Sequence, residues 1–471
     1  MQPSKHRRGR ATVLAAATAL GVVLTAVPAT GATTVKDPYF PDDGNSGYDV
    51  THYDVRIAYD PARADHLEGD TTVTARALRQ LDRLSLDLKG FEVASVTVNG
   101  VPARSFSRSG AHKLLVEPAG RLARGAAFAV RVKYAGAPDA EGWHILASGG
   151  ANAAGEPHSA TSWYPANDHP SDKATFALTA TVPDGWTVIG NGLPGPTTAT
   201  GGRTTFRWKE DRPLATYVST VAIDRFTVHR SRLPDGTPVI TAYGPDVPVD
   251  TVVEDQQRDV LAFLASKFGP YPFSSAGAVV VGWSKDPAAR ALDLETQSRP
   301  TYTGGLFDSA VVHESAHQWF GNSVSFTDWR DGCLAECFAQ YANQLWEEHQ
   351  GADLDTGFYR SLVEKHKDDP SFWATRLYDP GKGKEVDAAL YFKGSLMLHA
   401  LRRTVGDDAF FSTLGRWTGE HAYGNASFPQ FEALAGRVSG KDLKGFFDAW
   451  VHGTTLPAQR YLHPGSLAAA R

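Results

Sequence analysis

Cysteine is nearly absent. The 471 residues hold only Cys333 and Cys337, which excludes a fold stapled by a disulfide framework. An excess of one charge is missing too. The net charge is -5, and no long basic or acidic run occurs beyond the N-terminus, so no nucleic-acid partner is expected. No internal repeat and no long low-complexity linker is present, which removes solenoids and arrays. What remains is 42% apolar and 21% charged, the balance of an ordinary globular chain, long enough for two or three domains with sizeable cores.

The one long apolar run is at the start. Lys5, His6, Arg7, Arg8 and Arg10 precede a run from Ala11 to Val27, and small residues follow through Ala32. Basic, apolar and then small residues are the order of a secretory signal peptide, residues 1–32, cut near Ala32. The run falls short of a comfortable membrane span. The mature protein is therefore expected to be exported and soluble, with no membrane partner after signal cleavage.

Strand signals fill residues 35–228. Tyr53, Val55, Ile57 and Tyr59 alternate with polar residues, as do Leu84, Leu86 and Leu88. Val96 and Val98 lead into Asn99-Gly100, a hairpin turn. Phe206 and Trp208 alternate again, and Tyr217, Val218, Val221 and Ile223 read as one apolar strand. An N-terminal antiparallel β domain is the expectation. After Gly244-Pro245 the period changes. Val253, Gln257, Val260, Leu261, Leu264 and Phe268 follow helical spacing that Gly269-Pro270 ends. Val279-Val280-Val281 reads as a short buried strand, and later apolar clusters read as helices. Residues 229–465 are expected to form a thermolysin-like, mainly α catalytic domain with a small sheet.

Within that half stands His313-Glu314-Ser315-Ala316-His317, followed after 18 residues by Glu336. Two His four apart project from one helical face. They can share a metal ion while Glu314 turns toward the attacking water. Glu336, on a second helix with Asp331 as its expected N-cap, adds an oxygen ligand. Two His and one carboxylate leave a position open, the pattern of a catalytic zinc site. A chance H-E-x-x-H in a chain of this composition has a probability of roughly 0.03, and a Glu at set distance lowers it further by about twentyfold. The flanks, Leu306, Phe307, Ala310, Val311 and Val312 before and Trp319 and Phe320 after, are apolar. A polar cluster in such a helix is costly unless it is paired or metal-bound. The metal helix is expected over Ser309 to Phe320. A disulfide across one helical turn is geometrically restrictive, so Cys333 and Cys337 read as two small half-buried thiols.

The segment from His313 to Asn322, with Glu336, resembles the gluzincin aminopeptidases of the aminopeptidase N and leukotriene A hydrolase type. Trp163-Tyr164-Pro165-Ala166-Asn167-Asp168-His169-Pro170-Ser171-Asp172-Lys173 is similar to the family's segment in the β half. Phe447-Asp448-Ala449-Trp450 before Pro457 resembles the close of the catalytic domain, which implies a secreted, bacterial-like short form lacking further C-terminal helical domains. Leu292-Asp293-Leu294-Glu295-Thr296 occupies the place of the exopeptidase motif and matches it by identity only at Glu295. The resemblance implies that Glu295 holds the substrate α-ammonium, a task that suits a desolvated carboxylate, and that Glu156 is a second amine-binding group. Tyr391-Phe392-Lys393-Gly394 resembles the segment whose Tyr steadies the oxyanion. One departure is that Cys333-Leu334-Ala335-Glu336-Cys337-Phe338-Ala339 stands where the family has W-L-N-E-G-F-A. Changes beside a ligand weaken metal binding or activity by about one to two orders of magnitude.

The expectation is a secreted zinc aminopeptidase. One Zn2+ per chain is held by His313, His317 and Glu336, with Glu314 and Tyr391 catalytic and Glu295 and Glu156 binding substrate. It acts as a monomer on peptides with a free N-terminus. A zinc endopeptidase without the amine clamp, and a catalytically weakened binding protein on the same scaffold, remain alternatives.

Overall fold

The computed structural model describes residues 36–286 and 293–468. The expected signal peptide, residues 1–32, and Leu292 lie outside them. No helix among the described residues is long and apolar enough to cross a membrane.

The N-terminal part is built on a nine-stranded sheet. Its centre is Tyr48–Tyr59, which pairs antiparallel with Leu67–Ala77 and parallel with Ala174–Pro183. The other pairings of this sheet are antiparallel. Alternation works as period-2 physics requires: Tyr53, Val55, Ile57 and Tyr59 are buried on one face. At the hairpin between Glu92–Val98 and Val101–Pro102, Asn99 and Gly100 both take positive φ, 53° and 78°, the backbone a two-residue primed turn demands. The apolar run after Leu214 is a finding against expectation. Only Val221–Asp224 is strand, and Thr216–Val218 forms a buried 3-10 turn. A second, four-stranded sheet orders Thr187–Gly190, Val221–Asp224, Ala151–Ala153 and Trp143–Ile145, and Glu156 leaves the end of its third strand.

The second part starts from a sheet ordered Thr227–Arg232, Pro238–Tyr243, Ala276–Val281 and Thr301–Thr303. Helix Thr251–Phe268 is capped by Asp250, whose carboxylate accepts from two first-turn amides, and it ends at Gly269 with φ 101°. Its apolar face, with the metal helix Asp308–Ala316, helix Cys333–His349 and helix Ala388–Val405, encloses a helical core around Trp319, Phe338, Leu396 and Trp450.

The N-terminal segment straps the two parts together. Asp37 accepts the Trp329 amide at 2.8 Å, and the Tyr39 hydroxyl donates to Asp379 at 2.6 Å. Beside it Asp43 lies between two imidazoles, His112 Nε2 at 3.0 Å and His158 Nε2 at 2.6 Å. Asp87, which pairs with Lys113, also faces His112, and Glu141, which pairs with Lys89, faces His158. The hydrogen bond to Asp43 raises the His112 pKa. Burial works against charging His158, but Asp43 outweighs it and the pKa rises. Burial also opposes the Asp43 anion, yet the two imidazoles pull its pKa below the usual range. The raised His pKa values stabilise at low pH and lose that contribution as pH climbs through them. The depressed Asp43 pKa stabilises above the ordinary carboxylate range and fails only in strong acid. The cluster is thus strongest in mild acid. Asp43→Asn is expected to lower the unfolding free energy by about 1 kcal/mol more at about pH 5.5 than at about pH 9, read from urea midpoints of the two proteins.

Candidate metal centre

The metal helix is shorter than its pattern. It runs Asp308–Ala316, and His317 caps it while keeping helical backbone angles, φ -57° and ψ -23°. Both imidazoles therefore stay on one face. The chain then tightens into 3-10 bonding, with the amides of Gln318 and Trp319 reaching the carbonyls of Ser315 and Ala316, and reverses at Gly321 with φ 111°. Lys173 Nζ secures the reversal by donating to the carbonyls of Asn322 at 2.7 Å and Ser323 at 3.0 Å. Glu336 rises from the first turn of helix Cys333–His349, whose N-cap is Gly332. Asp331 is not the cap. It lies in the 3-10 turn Trp329–Asp331, and its carboxylate accepts the Phe428 amide at 2.8 Å.

His313 Nε2 and His317 Nε2 are 3.0 Å apart, and Glu336 oxygens lie 3.3 Å from the first and 3.6 Å from the second. Tetrahedral zinc with bonds near 2.0–2.1 Å places its ligand atoms about 3.3 Å apart, so the three donors fit that ion. His317 Nδ1 is 3.1 Å from the Phe320 carbonyl. That bond makes Nδ1 the protonated nitrogen and leaves Nε2 for metal. Burial lowers the His313 pKa, favouring the neutral imidazole a ligand must be.

The other expected site residues gather at the same place. Ligand atoms of Glu295, Glu314 and His317 lie within 4.8 Å of one another, as do those of Glu156, Glu295 and Glu336. Tyr391 stacks over His313, ring centres 5.7 Å apart. Burial pushes the carboxyls of Glu314, Glu156 and Glu295 above their ordinary range, and neighbouring carboxylates add to it. Burial opposes the Glu336 anion, but His317 and His313 pull its pKa down. Burial, then the charge of Glu336, raises the Tyr391 phenol. Four acidic groups around two imidazoles make a site that calls for cations.

Supporting residues have no chemistry of their own and were not singled out by the motif. Gln318 Oε1 accepts the Ser298 amide at 2.8 Å, and Asn322 Nδ2 donates to the Glu295 carbonyl at 2.6 Å. The turn that follows the second His thereby fixes the segment carrying Glu295. Ser298 itself sits at φ 66°, a conformation disfavoured for a residue with a Cβ. Its hydroxyl accepts the Gly192 amide at 2.8 Å.

The two cysteines correct an expectation. They are fully buried and joined in a disulfide across the first turn of the Glu336 helix. The pair fits because Gly394, on helix Ala388–Val405, leaves room. A Cβ added there would overlap Cys337 Sγ. Of the two positions where the resembled family has Trp and Gly, one half of the disulfide takes each.

Residues 49–218 match the peptidase M1 N-terminal domain, and residues 291–450 the peptidase family M1 domain. The fold superposes with a TM-score of 0.82 on an M1 zinc metallopeptidase from Deinococcus radiodurans, solved as a mutant bound to the substrate Tyr-Ser-Ala. That protein is 31% identical, over 90% of this chain and 98% of that one. The chain belongs to peptidase family M1. His313, His317 and Glu336 are its zinc ligands. Among curated M1 relatives, aminopeptidase N of Streptomyces lividans is 25% identical over 314 residues, 60% of this chain and 36% of that protein. Tricorn protease-interacting factor F2 of Thermoplasma volcanium is 24% identical over 322 residues, 64% of this chain and 41% of that protein. The chain spans about two fifths of the length of these curated relatives.

Proposed function

We propose that this M1 protein is a zinc aminopeptidase, exported by its N-terminal signal, that removes one residue at a time from peptides with a free N-terminus. The observation that carries the reading is the pair Glu156 and Glu295. Their carboxylates lie within 4.8 Å of each other and of the zinc ligand Glu336, so two acidic groups remain once a metal ligand and a base are assigned. An α-ammonium, with three N–H donors, satisfies them. It also limits how far the chain enters, so that cleavage falls after the first residue. An endopeptidase has no use for this pair.

Zinc, when bound, polarises the scissile carbonyl and lowers the pKa of water. Glu314, buried and four residues before Gln318, whose amide also bonds the Glu314 carbonyl at 3.3 Å, accepts the water's proton and passes it to the leaving amine. Tyr391, held over His313, donates its hydroxyl to the developing oxyanion. Glu295 and Glu156 orient the ammonium. The Deinococcus radiodurans relative is described bound to a peptide that begins with tyrosine, and further two-domain M1 structures similar to this one are bound to L-arginine and L-tryptophan. This supports a pocket for large N-terminal side chains.

The test is a panel of aminoacyl-anilides with and without an N-acetyl cap, run on wild type and Glu295→Ala. Free-amine substrates alone are expected to be cleaved, with those of large side chain preferred, and Glu295→Ala to lose about a hundredfold in kcat/KM. Equal cleavage of capped peptides, unaffected by Glu295→Ala, identifies an endopeptidase. Protein recovered outside the producing cell and starting near residue 33 tests export.

A further inference from the structure

Between the two carboxylate segments lies a phenol that the proposed chemistry leaves unused. Tyr217 sits in the 3-10 turn Thr216–Val218, its ring stacked on Phe326 at 5.9 Å and edge-on to Trp329 at 5.4 Å. Its own carbonyl accepts from Ser159 Oγ at 3.1 Å, three residues after Glu156. The next carbonyl, of Val218, accepts the amide of Gln297 at 3.0 Å, two residues after Glu295. Asn191 Nδ2 bridges the carbonyls of Val218 and Gln297 at 3.1 and 2.8 Å. One short turn therefore anchors both segments.

The hydroxyl lies beside the site. A Cβ built on Gly321 would be 3.6 Å from it and 3.4 Å from His317 Nδ1. It is buried and closes no hydrogen bond, and the same holds for Glu295 Oε1. Among the groups acting on the phenol after burial, Glu295 comes first and Glu156 second. Buried polar atoms left unmet are rare and costly, about 1–3 kcal/mol each. One orphan is a donor and the other an acceptor, and each acts on the other's pKa as a side-chain hydrogen-bond partner.

We infer that Tyr217 is a positioning residue of the amine site, whose hydroxyl donates to the Glu295 carboxylate and holds it toward the substrate ammonium. The inference rests on the aminopeptidase reading of Glu295. A substrate that engages Glu295 draws the carboxylate into a fixed orientation, and the phenol completes its acceptor shell from the side away from the ligand. Without the hydroxyl the carboxylate keeps its charge but not its aim. Recognition of the amine should suffer while the chemistry at Glu314 does not.

Tyr217→Phe retains the ring and its aromatic neighbours. Zinc content and melting temperature are checked first, and both should equal those of wild type. The readout is inhibition by an amino-acid hydroxamate and by its des-amino counterpart, together with KM and kcat on a free-amine anilide. The expected result is a loss of about tenfold in the preference for the amine form and a matching rise in KM, with kcat changed by less than about threefold. The double variant with Glu295→Gln should be no worse than Glu295→Gln alone. An unchanged amine preference in Tyr217→Phe, while Glu295→Gln loses it, overturns the inference and leaves the aminopeptidase reading intact. Additive effects of the two changes also overturn it. If Glu295→Gln itself keeps the preference, the reading of Glu295 falls, and the inference with it.

Discussion

Glu314→Gln abolishes turnover and keeps the zinc: kcat is expected to drop by about a thousandfold or more, the upper part of what a general base contributes, while metal content stays near about one ion per chain. The side chain is isosteric, and Glu314 is not one of the zinc ligands His313, His317 and Glu336, so the amide removes only the ability to take a proton. The same substitution has a second consequence for the protein stripped of metal. Burial holds the Glu314 carboxyl well above its usual pKa, with Glu295 and Glu336 adding repulsion. A carboxyl with a raised folded-state pKa destabilises the fold as pH rises above its unfolded value. Apo Glu314→Gln should therefore melt at a higher temperature than apo wild type at neutral pH, and the difference should shrink as pH falls toward the carboxylate range. An inactive variant that melts lower and has lost zinc would instead mark Glu314 as structural.

The legible parts of this protein are those whose cause is local. Asn99-Gly100 fixes its turn because both residues tolerate positive φ, and the helix that ends at Phe268 carries its own cap and stop. The zinc ligands belong to the same class. His313 and His317 need only one helical turn between them, and Glu336 comes on the next helix, beyond a connection that holds the short strand Ser325–Phe326 and the 3-10 turn Trp329–Asp331. What could not be read depends on partners far along the chain. Asp331 has the composition of an N-cap, but the Phe428 amide claims its carboxylate. The metal helix stops at Ala316 although Trp319 and Phe320 continue its apolar pattern, because Gly321 reverses the chain and Lys173 satisfies the carbonyls beyond it. Tyr217 and Val218 read as strand from their apolar pattern alone, yet their carbonyls are taken by Ser159, Asn191 and Gln297 rather than by a strand neighbour. The cysteine pair depended on Gly394, 57 positions away from Cys337.

Glu336→Ala is expected to weaken zinc binding by about a thousandfold, roughly a third of the free energy typical of a tight zinc site, and to remove activity at ordinary metal concentrations. The two imidazoles come from a single helix and cannot enclose an ion by themselves, and the third donor arrives on a separate element. That element is held on three sides. The disulfide closes its first turn, Gly394 lets the neighbouring helix pack directly against Cys337, and the strap residue Asp37 fixes the preceding turn through the Trp329 amide. Glu336 is thus delivered to its position by the scaffold, with His313 and His317 drawing its pKa below the ordinary range against the cost of burial. Loss of the carboxylate should leave this scaffold unmoved. Circular dichroism should match wild type while zinc, measured by atomic emission after dialysis, falls well below about one per chain. Added zinc should restore part of the metal content but little of the activity, since the ion would no longer be held where Glu314 can serve it. Retention of a full zinc equivalent in Glu336→Ala would reassign the third ligand. Glu295 and Glu156, both with oxygens within 4.8 Å of Glu336, would then be the groups to remove next, and their assignment to the substrate ammonium would fall together with that of Glu336 to the metal.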